Sequence, residues 1–140
     1  MRPDLQIFLH VLGATALFGA VGAVATVALA APRVAERTLL ARAALVATIF
    51  VAVPSWVLTL VFGAWTKSKE GLPDGISWVD LGVGVAQAGI VVLLASAALA
   101  YAWFRRPGNT RLPLALGLVS TGYLLALGVA WWVMSAKVSL

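Results

Sequence analysis

The chain contains no cysteine, which excludes disulfides, thiolate metal sites and thiol catalysis and leaves no cysteine signal for the redox compartment. It has one histidine, too few to supply both axial ligands of a haem or a zinc or copper site without a second subunit. Charge is scarce, at 11% of residues against about 25% in soluble domains. The five acidic residues all fall outside the long apolar runs. That argues against a small four-helix proton-coupled exporter, whose coupling carboxylate lies in its first helix. No ring of charge lies within an apolar run to form an ion filter. The glycine-containing VGVAQAG, residues 83–89, sits inside an apolar run and cannot be a phosphate-cradling loop. Serine and threonine are present without a base partner for nucleophilic catalysis. The chain therefore lacks a self-sufficient catalytic set, and an enzyme reading requires a partner to supply the missing groups.

What is abundant is apolar surface: 62% of the 140 residues are hydrophobic and the mean hydropathy is +1.01. This is the composition of an integral membrane protein. Four apolar segments, residues 5–30, 43–65, 81–104 and 114–134, each reach the ~20 residues needed to cross a bilayer core. In lipid such segments must satisfy their own backbone polar groups, so each reads as a helix. The polar connections PRVAERTLLAR, TKSKEGLPDGISW and RRPGNTRLP are short, which favours antiparallel neighbours. The expected fold is an all-α integral membrane domain over residues 1–140, an antiparallel up-down bundle of four transmembrane helices. ALAAP at residues 28–32 looks like a signal-peptidase site. The apolar run before it exceeds the roughly 7 to 15 residues of a signal core, so the segment reads as a transmembrane helix.

A net charge of +5 in a membrane protein marks cytoplasmic loops rather than a nucleic-acid partner. Arg2, Lys67, Lys69 and Lys137 fall on one side; Arg33, Arg37, Arg42, Arg105, Arg106 and Arg111 fall on the other. The excess places the first and third connections in the cytoplasm and both termini outside. The Ala, Val and Arg bias fits a GC-rich bacterium, hence a multi-pass protein of the bacterial cytoplasmic membrane. Trp65, Trp78, Trp103, Trp131 and Trp132 mark the span edges, where indoles prefer the interface.

A few polar residues stand out against this background. In GLPDGISWVDLGV, residues 71–83, Ser77 and Asp80 have capping-box spacing and Asp80 also suits the helix dipole. His10 lies about 7 to 8 Å into the first span, at outer-leaflet depth, where an ionisable group is a functional candidate. Gln87 lies at a comparable depth in the third span. An antiparallel bundle can bring His10 and Gln87 together near Trp131 or Trp132, as a pocket for a lipid, quinone, haem or metal. The bland alternatives are interfacial hydrogen bonding for His10 and interhelical glue for Gln87. Pro54, near mid-span, must forfeit a helical hydrogen bond and bend the second helix, with Ser55 as local compensation. Pro32 suits a first helical turn, so the second helix is expected to project from the membrane, with an Arg33–Glu36 surface pair. Ala16, Gly19, Ala20, Gly22 and Ala23, and Gly122, Ala126 and Ala130, form small-residue seams for close helix approach.

LQIFLHVLGATALFGAVGAVATVALA, residues 5–30, and ARAALVATIFVAVPSWVLTLVFGAW, residues 41–65, resemble uncharacterised small bacterial four-helix membrane proteins. These in turn look distantly like the copper-resistance D type, with a histidine early in the first helix followed by small residues. The resemblance implies the four-helix architecture, and any copper or haem chemistry it implies falls on His10. Two functions are expected. The first is a small non-catalytic accessory or structural subunit packed against other membrane protein subunits and lipids in a larger complex, respiratory or otherwise energy-converting. The second is a homo-oligomeric binding or transport protein using His10 and Gln87 at an outer-leaflet site.

Overall fold

The computed structural model describes residues 4–137; Arg2, one of the basic residues in the orientation count, lies outside them. Helix α1 spans Leu5–Ala30 and ends in a 3-10 turn, Ala31–Arg33. The second span is composite: α2, Arg37–Val46, a π-helical segment, Ala47–Ala52, and α3, Val53–Lys69. Helices α4, Ser77–Arg105, and α5, Arg111–Ala136, follow. The four stretches Leu5–Arg33, Arg37–Lys69, Ser77–Arg105 and Arg111–Ala136 are each long and apolar enough to cross a membrane.

The π segment has a local cause. Pro54 offers no N–H, and its ring collides with the carbonyl four residues back. The chain responds by widening the preceding turn, so that the Val53 N–H bonds to the Thr48 carbonyl, five residues back. The irregularity expected from Pro54 thus includes a register slip in the backbone before the proline.

Other local expectations need correction. Pro32 belongs to the 3-10 turn that closes α1, and Val34 is extended, so the second helix begins only at Arg37. No Arg33–Glu36 ion pair forms among the described residues. At the start of α4, Ile76 is the N-cap and Ser77 the first helical residue, while Val79 and Asp80 donate backbone bonds to the Ile76 carbonyl. Asp80 is exposed in the first turn, where its charge still complements the dipole. At α5 the cap comes from Asn109, whose Oδ1 accepts from the Arg111 and Leu112 N–H groups at 2.8 and 3.1 Å.

Helix α1 packs against the second span and α5, and α4 packs against α5 and the second span. Helices α1 and α4 therefore sit across the bundle from one another. Close approach is set by glycine: a Cβ on Gly13 would lie 2.9 Å from Leu58 Cβ and the Thr59 nitrogen, and one on Gly82 would run into Met134 Sδ. The small-residue seams divide between inside and outside. Ala20 and Ala130 are buried, whereas Gly19 and Gly122 have open space where a side chain would be. One buried cluster joins Ala28, Ala41, Ala100, Trp103 and Leu116; a second joins Leu17, Val21, Ala52, Leu93 and Tyr123. Trp103 is 0% exposed and serves as a core side chain, not as an interfacial anchor. Trp65, Trp131 and Trp132 do lie on the exterior.

Candidate functional site

The polar residues of the bundle fall into three places. The first is a seam between α1 and α3. His10 lies on the face of α1 that meets α3, and its Nδ1 is 2.8 Å from the Thr59 carbonyl oxygen. A carbonyl only accepts, so Nδ1 carries the hydrogen and donates it. In the neutral ring Nε2 then keeps its lone pair, available to accept a hydrogen bond or bind a metal. Gly63 makes the contact possible, since a Cβ there would lie 2.9 Å from His10 Cε1 and Nδ1.

The same seam continues toward the helix ends. Gln6, one turn before His10, is buried. Thr59 and Thr66 return their hydroxyls to the Ser55 and Phe62 carbonyls at 2.8 Å, the back-bonding by which a hydroxyl satisfies itself within its own helix. Asp4 meets Lys69 at 3.3 Å. Beyond the seam, Lys67 pairs with Asp74 of the following connection at 2.6 Å. That hydrogen bond, together with the adjacent positive charge, holds the Asp74 carboxyl below its ordinary range.

The second place is the outer face of α4. Gln87 is exposed there, flanked by exposed Gly84, Ala88 and Val91. Since α1 lies across the bundle, the structure does not bring Gln87 to His10. Trp131 packs edge-to-face on Phe18 of α1, with centroids 5.9 Å apart, about 12 Å along that helix from His10. Trp132 is exposed. The four residues expected to surround one pocket are therefore distributed over separate surfaces.

The third place, in the bundle interior, gave little signal in the sequence. Trp56 Nε1 donates to the Ala86 carbonyl at 2.6 Å, and Tyr123 Oη reaches the same region of α4, over Gly89. The Tyr123 hydroxyl is buried without a hydrogen-bond partner among the described residues, as is Trp103 Nε1. Each such orphaned group costs about 1–3 kcal/mol. Nearby, the hydroxyl residues Thr48, Ser96 and Ser120 are buried. Reading each span separately could not show that these hydroxyls belong to one layer.

Two voids in the bundle measure about 10 Å³ each, room for no more than one water-sized molecule apiece. No group of three or more His, Cys, Asp or Glu residues gathers among the described residues. No family model, curated protein or solved structure matches the chain.

Proposed function

We propose that the protein is a small, non-catalytic accessory subunit of a larger assembly in a bacterial cytoplasmic membrane, docked to a neighbouring subunit through the outer face of α4. Its four spans form an up-down bundle with both termini outside. Support for that topology comes from the Asp4–Lys69 ion pair and the placement of Lys137 Nζ 5.8 Å from the Trp78 ring centroid, which join the start of one span to the end of another.

The observation that carries the reading is the exposed amide of Gln87 on an otherwise apolar face. About 15 Å from the start of α4, that amide faces hydrocarbon unless another protein covers it. An amide without a partner in an alkane-like medium costs about 4–8 kcal/mol, and a hydrogen bond from a neighbouring helix offsets about 0.6–2 kcal/mol of that. Gly84 and Ala88 flank the amide with little bulk, which lets a foreign backbone approach closely. Photo-crosslinking from position 84 or 88 in the native membrane tests the reading. Discrete adducts with another protein support it, and adducts with lipid alone refute it.

A second reading rests on His10. Fixing Nδ1 on the Thr59 carbonyl aims a defined lone pair from Nε2, as when a histidine ligand is oriented by its outer hydrogen bond. In that reading a homo-oligomer collects one His10 per subunit around a haem, metal or quinone. Loss of a co-purifying ligand in His10→Ala, with the fold retained, distinguishes it from the subunit role.

A further inference from the structure

We propose that the centre of the bundle is a binding site for one internal water molecule, held by hydroxyl groups from three spans beside the π segment. This goes beyond the subunit role and does not depend on it. Thr48 in the π segment, Ser96 on α4 and Ser120 on α5 are 1%, 4% and 2% exposed. Together with Tyr123 and apolar residues that include Val24 and Leu93, they line a cavity of about 10 Å³. A cavity holds one water when it offers about 10–15 Å³ and two to four polar partners, and this one meets the lower bound with three hydroxyl-bearing residues besides Tyr123.

The donor and acceptor balance fits water. The Thr48 hydroxyl spends its hydrogen on the Ala44 carbonyl at 2.8 Å, so it offers only lone pairs to the cavity. Serine hydroxyls both donate and accept. A water molecule therefore donates to Thr48 and exchanges hydrogen bonds with Ser96 and Ser120. No residue on the wall is charged, so a bare cation would meet no counter-charge there, and an organic ligand exceeds the volume.

The location gives the water a structural task. Thr48 and Ala52 on the cavity wall both belong to the wide turn created before Pro54. Bridging Thr48 to Ser96 and Ser120 ties that turn to α4 and α5, so the register slip of the second span is locked to the rest of the bundle. π-Helical turns inside longer helices frequently accompany functional sites.

Water-edited solid-state NMR on the full chain in lipid bilayers tests the site. Magnetisation from water is expected to reach Thr48, Ser96 and Ser120, though they are shielded from solvent, and to be lost at Thr48 in the Ser96→Ala/Ser120→Ala double variant. If that variant does not fold by circular dichroism, Thr48→Val, which keeps the volume and removes one hydroxyl, is expected to lose the transfer at both serines. No transfer in the unaltered chain, or transfer unchanged by the substitutions, overturns the proposal. A melting temperature that shifts when sodium replaces potassium at constant ionic strength also overturns it, by assigning the cavity to a cation.

Discussion

His10 Nδ1 lies 2.8 Å from the carbonyl oxygen of Thr59, and the contact exists because position 63 is glycine. A Cβ there would stand 2.9 Å from the imidazole. Gly63→Val is therefore expected to push the ring off the carbonyl and cost about 1–3 kcal/mol by overpacking. His10→Leu removes the same hydrogen bond without that clash and is expected to cost only about 1 kcal/mol. Equilibrium unfolding in mixed micelles measures both. In ¹⁵N NMR, the neutral ring of the unaltered chain is expected to carry its proton on Nδ1.

The α1–α3 interface has less tolerance at Gly13. A Cβ at this position would meet backbone as well as side-chain atoms, at 2.9 Å from the Thr59 nitrogen and from Leu58 Cβ, so no rotamer change relieves it. Gly13→Leu is expected to destabilise by at least about 3 kcal/mol, the upper end of ordinary overpacking. Gly19→Leu, with open space at its Cβ, is expected to fall within about 0.5 kcal/mol of the unaltered chain in the same assay.

At Gly89, α4 is approached by two aromatic side chains. A Cβ would run into Tyr123 Oη and lie 2.7 Å from Trp56 Nε1, displacing the indole from the Ala86 carbonyl. Gly89→Ala is expected to cost about 1–3 kcal/mol and to blue-shift Trp56 fluorescence as the indole loses its hydrogen bond in an apolar setting. An unchanged emission maximum in a background lacking the other tryptophans would show that the indole had not moved.

The connection between α3 and α4 carries the clearest pH dependence outside the spans. The Asp74 carboxyl is held below its ordinary value of 3.8 by Lys67. A group whose folded value is depressed contributes stability above its unfolded value and loses it as pH falls through the folded one. The Lys67–Asp74 contact is therefore expected to stay intact down to the ordinary carboxyl value of 3.8 and to open only as pH falls below it. Asp74 is solvent-exposed and Lys67 half-buried, so salt is expected to weaken the pair. NMR titration of the Asp74 carboxyl checks this, and Lys67→Ala is expected to move its midpoint upward.

The four long apolar helices were legible because a helix able to cross a bilayer follows a simple rule: about 20 apolar residues and no free backbone groups. Their ends were less so, since polar ends such as Arg37–Arg42 and Thr66–Lys69 remain helical beyond the apolar limits. Pro54 announced an irregularity, but whether a helix bends or slips register depends on packing around the freed carbonyl. His10 was visible as the sole histidine. Its partner was not, because the acceptor is a backbone carbonyl made accessible by Gly63. Gln87 could be placed by depth but not by direction. An apolar helix with lipid on one side and protein on the other has almost no amphipathic signal, so the face carrying Gln87 emerges only once α4 is packed. Trp103 shows the same limit: an indole near a span end is equally consistent with an interface or a core.

Native mass spectrometry of the protein released gently from its own membrane tests the central claim most directly, comparing the unaltered chain with Gln87→Leu expressed at the same level. The expected result is a set of discrete assemblies containing other protein chains, depleted at least tenfold by the substitution. A lone homo-oligomer, or assemblies indifferent to Gln87, would contradict the docking role assigned to α4.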